Sequence, residues 1–368
     1  MTALQQLINE LCPNGVKFAA LEECCKILDN KRKPVTKAAR QAGEYPYYGA
    51  NGIQDYVSDY IFDGIFVLVG EDGSVVTPSG NPVVNWATGK IWVNNHAHII
   101  EEKDGVLLRY LYHYLQTVNV SALIHGNIPK LTGGDFRAIK VPVPPLPVQS
   151  EIVRILDNFT KLTAELTAEL TARKKQYEYY RNKVLSLQSN GCKLLLKDIA
   201  NTFRGEYITK SSTKEGNIPV ILGGQEPAYY IDKYNHEGEI VVVARSGASA
   251  GFVSYWNERI FITDGFGYEA KQSIVTQKYL YYILKNIEAK LNSMKRGAGV
   301  PHVSGEALNN LEFIIPTLKE QERIVAILDR FDTLCNDISA GLPAEIEARQ
   351  KQYEYYRDKV LTFKALST

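Results

Sequence analysis

The chain contains 368 residues, of which 45% are hydrophobic and 23% are charged, and its formal net charge is +1. This composition is ordinary for a globular protein of two or three domains, and the charge argues against wholesale coating of nucleic acid while leaving a local basic cleft open. Because the sequence has no apolar run near the roughly 18 residues of a membrane helix and no signal-peptide pattern, we expect no membrane association and a cytoplasmic location.

The first half of the chain begins with a short helix and continues into a β-rich domain. Residues 1–11 are typical of a helix, and residues 12–146 carry short apolar runs such as IFVLVG between turn residues, with one helix at Val106–Thr117. Residues 147–190 contain no glycine and have apolar residues three and four apart. This spacing predicts one long amphipathic helix.

The second half has the same organisation. Residues 191–317 are again β-rich, with runs such as EIVVVA and RIFIT and a predicted helix at Thr276–Leu291. Residues 318–368 predict a second long amphipathic helix. We expect this helix to be broken or kinked near residues 341–343, because the glycine and proline found there stop and restart helices.

Whole phrases recur between the halves. KQYEYYRNKVL at 175–185 returns as KQYEYYRDKVL at 351–361, and VPVPPLPVQSEIVRILDNF at 141–159 pairs with FIIPTLKEQERIVAILDRF at 313–331. Such long internal repeats indicate two copies of one structural unit. The repeated tyrosine-rich phrase contains no nucleophile, metal ligand or glycine loop, so an active site is not expected there.

The repeat predicts an α+β fold of two β-rich domains separated by two long amphipathic helices. Two such helices most simply pair as an antiparallel coiled coil, although each could instead pack on its own domain. The N-terminal helix aligns with part of the central helix, so the chain begins partway through a unit whose earlier part lies at its own C-terminus. We therefore expect a circular arrangement about a pseudo-twofold axis.

The five cysteines favour reduced thiols, because their count is odd and no C-x-x-C spacing occurs. Three other patterns are weak. Gly247–Gly251 fits the G-x-S-x-G nucleophile elbow but leads into a strand-like run rather than a helix. His96 and His98 lie two apart without a third ligand nearby in sequence, which favours a structural pair over a metal site. Asn81-Pro82 begins like an adenine methyltransferase motif but lacks its second proline and aromatic residue.

The first long helix contains TAEL units, the tyrosine-rich phrase occurs twice, and the pattern PxPPLxxQxxIxxxLD lies at Pro142 to Asp157. In these features the whole chain resembles the specificity subunit of Type I restriction-modification systems. A diverged copy of the pattern lies at Pro316 to Asp329. The resemblance implies two target-recognition domains that each read one half of a bipartite site in double-stranded DNA. It also implies helices that act as a spacer between the domains.

The resemblance further implies the partners. The helices would dock two methyltransferase (M) subunits, and restriction/translocase (R) subunits would join the full complex. The chain itself would not be an enzyme and would carry no cofactor, since S-adenosylmethionine, ATP and Mg are expected only in the partner subunits. The rival hypotheses are a coiled-coil scaffold whose globular domains bind a non-DNA ligand, and a stand-alone enzyme.

Candidate DNA contacts are polar or basic residues in three loops of each β-rich domain, since Arg and Lys suit phosphates and guanine edges while Asn, Ser, Glu and Asp also meet bases. The candidates of the first domain are Lys31, Arg32, Lys33, Glu71, Asp72, Ser74, His125, Asn127 and Lys130. Those of the second domain are Arg204, Lys210, Arg245, Ser246, Ser249, Lys295, Arg296 and His302. Their corresponding places in the two halves strengthen the hypothesis.

Candidate partner contacts lie in the repeated phrase, because aromatic and arginine side chains are common anchors of protein interfaces. They are Tyr177, Tyr180, Arg181, Tyr353, Tyr356 and Arg357. Base stacking by these tyrosines is the less favoured interpretation.

Overall fold

The computed structural model describes residues 3–73, 75–186, 191–223, 226–297, 300–337 and 340–366. The chain divides into two compact units, of which unit 1 comprises Met1–Leu166 with Ile346–Thr368 and unit 2 comprises Thr167–Glu345. Both units mix helices and strands, as the α+β prediction required. The N-terminal and C-terminal segments both belong to unit 1.

Unit 1 is built around one β-rich domain. Its elements are α1 (Ala3–Leu11), β1 (Lys17–Ala20), α2 (Leu21–Cys24), β2 (Lys26–Ile27), β3 (Ala42–Gly49), β4 (Gly52–Val57), β5 (Phe62–Gly70), β6 (Val84–Val93), β7 (Ala97–Glu101), α3 (Leu108–Leu115), β8 (Ile124–His125), β9 (Lys130–Leu131), α4 (Gly133–Ala138) and β10 (Lys140–Val143). A helix of 41 residues, α5 (Leu146–Ser186), begins in unit 1 and ends in unit 2.

Unit 2 has a similar order of elements. Its elements are β11 (Cys192–Leu195), α6 (Leu196–Ile199), β12 (Ala200–Arg204), β13 (Ile218–Ile221), β14 (Tyr229–Ile231), β15 (Glu239–Ala244), β16 (Val253–Asn257), β17 (Phe261–Ile262), β18 (Gly265–Ala270), α7 (Gln277–Asn286), α8 (Glu288–Ser293), α9 (Gly305–Asn309), β19 (Glu312–Ile315) and α10 (Leu318–Asn336). A last helix, α11 (Leu342–Leu361), begins in unit 2 and ends in unit 1. Within the described ranges, no helix combines the length and apolar character needed to cross a membrane.

The strand orders of the two units correspond when β16 and β17 of unit 2 are together matched to β6 of unit 1, since β3 and β13 pair in parallel with β6 and β17 respectively. Unit 1 has a six-stranded sheet in the order β2-β7-β5-β6-β3-β4, and unit 2 has the orders β12-β18-β15-β16 and β14-β13-β17. Residues 66–70 of the central strand β5 and residues 240–244 of β15 are continuous buried runs, as expected for segments covered on both faces, whereas Asp63, Ile65 and Glu239 are exposed. The repeat seen in the sequence is therefore a repeat of topology as well.

The prediction of one helix over Thr276–Leu291 is wrong in detail. Two helices, α7 and α8, meet at Ile287, whose backbone (φ −101°, ψ 13°) leaves the helical region. The Glu288 carboxylate accepts hydrogen bonds from the Val253 amide at 2.8 Å and from Lys285 at 2.6 Å. The apolar periodicity of this segment predicts one continuous helix, but the segment is divided where Glu288 contacts strand β16.

The long helices pack on the two units through different stretches. In unit 2, the Phe331 ring of α10 stacks on Tyr177 and Tyr180 of α5, with ring centroids 6.1 and 6.0 Å away. Leu328 and Cys335 of α10 lie in the same buried cluster as Tyr177, so α5 and α10 both contribute to the core of unit 2.

In unit 1, Phe159 of α5 stacks on Tyr356 of α11, with ring centroids 5.5 Å apart. The second long helix is interrupted, since α10 ends at Asn336 and α11 begins at Leu342. This interruption coincides with the glycine and proline of the sequence.

A buried glutamine explains the Q of the PPLxxQ pattern, whose diverged second copy reads PTLKEQ at 316–321. Gln149, which is 0% exposed, donates to the Pro144 and Gly105 carbonyls at 2.7 and 3.0 Å and accepts from the Leu107 amide at 2.9 Å. Its side chain therefore satisfies backbone groups at the start of α5 and just before α3. This glutamine joins the long helix to the β-rich domain.

Gln321 does the same in unit 2. It donates to the Pro316 and Ile274 carbonyls, both at 2.9 Å, and accepts from the Thr276 amide at 2.8 Å. It is also fully buried. Gln149 and Gln321 therefore have the same structural role in the two units.

The aspartate that ends the repeated pattern anchors a helix of the β-rich domain. Asp157 accepts from Nε2 of the buried His113 in α3 at 2.8 Å, and Nδ1 of the same ring lies 3.3 Å from the Tyr353 hydroxyl in α11. In unit 2, Asp329 accepts from the Tyr282 hydroxyl of α7. The equivalent carboxylates of the two units are therefore hydrogen-bonded by a histidine in unit 1 and by a tyrosine in unit 2.

We predict that unit 1 loses stability in mild acid through His113. Burial lowers the pKa of His113 to about 4, although Asp157 opposes this shift, whereas the unfolded chain titrates near an ordinary pKa of about 6.5. Between these values the unfolded state binds more protons, so stability is complete above about pH 6.5 and falls by up to about 3 kcal/mol as the pH drops towards 4.

The test compares the wild type with His113→Gln in denaturant titrations at pH 7 and pH 4.5. Part of the acid-induced loss of stability should disappear in His113→Gln, because glutamine does not titrate. An identical pH dependence in both proteins would show that His113 is not the group responsible.

Candidate nucleic-acid interface

Two of the predicted loops meet in unit 1. The loop after strand β5 is hydrogen-bonded to a hairpin at residues 124–131, which we call the unit 1 hairpin. The Leu131 amide donates to the Glu71 carbonyl at 2.8 Å, and the Gly73 amide donates to the Pro129 carbonyl at 2.9 Å. The second and third candidate loops of the first domain are therefore one surface.

The same junction occurs in unit 2, where the loop after β15 meets a hairpin at residues 296–302, the unit 2 hairpin. The Val303 amide donates to the Arg245 carbonyl at 2.8 Å, and the Gly247 amide donates to the Pro301 carbonyl at 3.0 Å. The two junctions thus share their backbone pairing, including a proline at the same position of each hairpin.

Each hairpin turns at a glycine in the left-handed region. Gly126 has φ +83° and Gly297 has φ +113°. A Cβ atom at Gly126 would lie 3.3 Å from the Ile128 carbonyl oxygen, and one at Gly297 would lie 3.1 Å from that of Val300. Both turns therefore require glycine, although four residues separate the paired His125 and Lys130 and five separate the paired Arg296 and His302.

A buried polar network supports the junction in unit 1. Arg32 donates to Glu71 at 2.6 Å and to the Ala97 carbonyl at 2.7 Å. His98 bonds Asp29 through Nδ1 at 2.7 Å and the Leu131 carbonyl through Nε2 at 3.0 Å. Burial raises the pKa of the Asp29 carboxyl, but the hydrogen bond with His98 lowers it, and the resulting pKa lies below its usual value.

The network includes a set of potential metal ligands. Ligand atoms of Asp29, Glu71 and His98 all lie within 4.8 Å of one another. Arg32 and Lys130 already neutralise the carboxylates, with Lys130 3.2 Å from Glu71. The arrangement is therefore a self-compensated ion network that holds the hairpin, and the sequence did not reveal it because its members come from distant segments.

His96 and His98 do not share a ligand site. His98 is buried in β7, whereas the exposed His96 bonds Asp72 in the loop after β5. The serine motif of unit 2 leads into strand β16, so the helix that a nucleophile elbow requires is not present at that place.

The candidate residues of unit 1 differ in exposure. Lys31, Lys33, His125, Asn127 and Lys130 are exposed, Arg32, Glu71 and Asp72 are half-buried, and Ser74 lies outside the described residues. The His125 ring is 3.3 Å from the Asp135 carboxylate. The lysines before β3 and the hairpin residues are therefore the groups of unit 1 most accessible to a phosphate or base.

The candidates of unit 2 include five arginine or lysine residues and no carboxylate. Arg204, Lys210, Ser249, Arg296 and His302 are exposed, and Arg245, Ser246 and Lys295 are half-buried. Among the described residues, no side chain bonds those of Arg296 or His302. These two groups are available to an external anion.

Three half-buried residues of unit 2 hold the junction together. Arg245 lies 3.6 Å from the Asp264 carboxylate, which also accepts a hydrogen bond from Ser246. The Lys295 ammonium donates to the Ala248 carbonyl at 2.7 Å.

Part of the predicted partner surface is internal. Tyr177 and Tyr353 are 7% and 9% exposed and belong to the cores of unit 2 and unit 1 respectively. Arg181 and Arg357 lie over these rings, and Arg181 also donates to Asn286 at 3.2 Å. These four side chains therefore pack within their own units.

The neighbouring tyrosines face outward. Tyr180 and Tyr356 are 39% and 37% exposed while stacking on a phenylalanine each. Tyr179 and Tyr355 are 59% and 62% exposed. The repeated phrase therefore presents one inward and two outward tyrosines in each copy.

Comparison with known proteins identifies this architecture. The family model described as the Type I restriction modification DNA specificity domain matches residues 13–173 and again 193–348. A putative type I restriction enzyme specificity subunit of Haemophilus influenzae is 39% identical over 95% of this chain and 96% of its own length. The EcoR124I/EcoR124II specificity subunit of Escherichia coli is 34% identical over 71% of this chain and 72% of its own.

Solved structures share the fold. The S subunit of the type I restriction-modification system of M. genitalium matches 94% of this chain and 96% of its own length with a TM-score of 0.66, at 16% sequence identity. On the family match and the close relatives, the chain belongs to the type I restriction-modification specificity subunits and carries two specificity domains.

Proposed function

We propose that this chain reads a bipartite site in double-stranded DNA, with one half-site contacted by each unit. The observation that carries the proposal is the loop–hairpin junction, which recurs in both units with the same backbone hydrogen bonds but with different exposed side chains. A common frame with divergent polar and basic groups suits two readers of different base sequences.

The proposal includes partners that perform the chemistry. Two methyltransferase subunits would dock on the helices, and the outward pairs Tyr179–Tyr180 and Tyr355–Tyr356 offer equivalent anchors for them. Restriction/translocase subunits would join the larger complex. S-adenosylmethionine, ATP and Mg belong to those partners in this proposal, and the chain itself is not catalytic.

The test is to co-express the chain with its methyltransferase partner and sequence the methylated genomic DNA. We expect adenine methylation at one motif of two fixed half-sites separated by unspecified bases, and none from either protein alone. A continuous motif, or no motif, would contradict the proposal. The scaffold alternative instead predicts no salt-dependent binding to DNA.

A matched pair of variants assigns the half-sites. The double variant Arg296→Ala/His302→Ala should reduce methylation and relax only the half-site read by unit 2, because both side chains are exposed on its hairpin. Lys33→Ala/His125→Ala should act on the other half-site. Identical effects of both variants on both half-sites would contradict the assignment of one reader to each unit.

A further inference from the structure

Among the described residues of each hairpin, an exposed aliphatic side chain, which we call the tip, lies directly before the proline. Ile128 is 70% exposed in the unit 1 hairpin and Val300 is 64% exposed in the unit 2 hairpin. Each immediately precedes the proline whose carbonyl accepts the loop-glycine hydrogen bond. The two side chains therefore occupy equivalent positions of equivalent structures.

The backbone holds these side chains firmly. In unit 1 the hairpin strands pair Ile124 with Leu131, and in unit 2 the Arg296 and His302 amides and carbonyls bond reciprocally at 3.0 and 2.9 Å. A residue before proline is restricted to extended conformations, and a β-branched side chain has few rotamers. The exposed aliphatic groups are thus pre-organised, so a ligand would order them at little entropic cost.

The surroundings of the tips favour DNA over protein as the ligand. His125 and Lys130 flank Ile128, and Arg296 and His302 flank Val300, and all four are exposed. A protein interface usually has an extended apolar core, whereas a single aliphatic group among polar and basic side chains suits a duplex whose phosphates are anionic. The apolar group that base edges present in the major groove is the thymine methyl.

We propose that Ile128 and Val300 are specificity-determining residues that each contact a thymine methyl in the half-site read by their own unit. The proposal rests on the proposed function and names residues for it. The basic and polar side chains beside each tip would contact phosphates and fix the register, while the aliphatic tip would distinguish an A·T pair from a G·C pair at one position.

The experiment uses the complex of the full chain with its methyltransferase partner. The methylated motif is determined for the wild type, Ile128→Ala and Val300→Ala, and methylation rates are then measured on duplexes in which single thymines of each half-site are replaced by uracil. The wild type should lose about three- to tenfold in rate at one thymine per half-site, the scale expected for one buried methyl group. Each alanine variant should be insensitive to that replacement in its own half-site only.

Conservative and remote variants are the controls. Ile128→Val and Val300→Ile exchange the tip residues of the two hairpins and should keep thymine discrimination. Ile53→Ala in β4 and Ile314→Ala in β19 remove exposed aliphatic groups elsewhere in each unit and should leave the motif unchanged. Because all four substituted positions are exposed, thermal melting of the six variants should match the wild type.

The outcomes separate the two proposals. A wild-type bipartite motif that contains no thymine-dependent position, or alanine variants with unchanged discrimination, would overturn the role of the tips alone. Weakened assembly with the methyltransferase subunit at an unchanged motif would also overturn it, because the tips would then contact protein. The absence of a bipartite motif in the wild type would remove the proposed function itself, and this inference with it.

Discussion

Deletion of Thr163–Leu166, one TAEL unit of α5, is expected to shorten the spacer of the recognised DNA site by about one or two base pairs while both half-site sequences stay the same. Four residues of helix span about 6 Å, against about 3.4 Å per base pair. The helix runs continuously from unit 1 into unit 2, and the boundary between the units falls directly after Leu166.

The helix should tolerate this change because its middle contributes little to either core. The fully buried positions of α5 end at Leu156 on one side and resume at Tyr177 on the other, and every residue between them is exposed or half-buried. Four residues also turn the helix by only about 40° beyond a full turn. The part of α5 that packs in unit 1 and the part that packs in unit 2 are therefore rotated against each other by only about 40° after the deletion.

A single alanine inserted between Leu166 and Thr167 is the matched control. It adds only about 1.5 Å but rotates the second half of the helix by about 100°, so methylation should be lost although the length hardly changes. Motif sequencing of the three proteins measures the spacer directly. If the deletion variant methylates the wild-type spacer, α5 does not set the half-site separation.

Periodicity and repetition made much of the fold predictable. The apolar runs IFVLVG and EIVVVA became the central strands β5 and β15, and the glycine-free stretch of the first half became one helix of 41 residues. These features were accessible because local spacing determines which face of an element is buried. The division between α7 and α8 was not, because it coincides with a contact to a strand distant in sequence.

The candidate site was predictable only in outline. Sequence placed Glu71 and Lys130 in separate loops, but their meeting at one junction depends on backbone bonds between distant segments. Sequence also gave Tyr177 and Tyr180 the same role, whereas the structure buries the first and exposes the second. The aliphatic tips were missed because an isolated isoleucine or valine has no sequence pattern that reveals exposure.

Replacing the glutamine of the PPLxxQ pattern should strongly destabilise the unit that contains it, because this side chain makes equivalent hydrogen bonds in both units. Gln149→Leu removes three hydrogen bonds and leaves an amide and two carbonyls without their partner in a fully buried position. We expect unit 1 to lose about 3 to 4 kcal/mol. Gln321→Leu should weaken unit 2 in the same way, since its three bonds are equivalent.

Hydrogen exchange resolves the two effects within one chain. In Gln149→Leu, the amides of α3 and the start of α5 should exchange faster while those of α7 and α10 stay protected, and Gln321→Leu should give the reverse pattern. Gln6→Leu and Gln272→Leu, at exposed positions of unit 1 and unit 2, should change neither. Uniform loss of protection across both units after either core substitution would mean that the units unfold as one body. In that case each glutamine would stabilise the whole chain rather than the attachment of one β-rich domain to its helix.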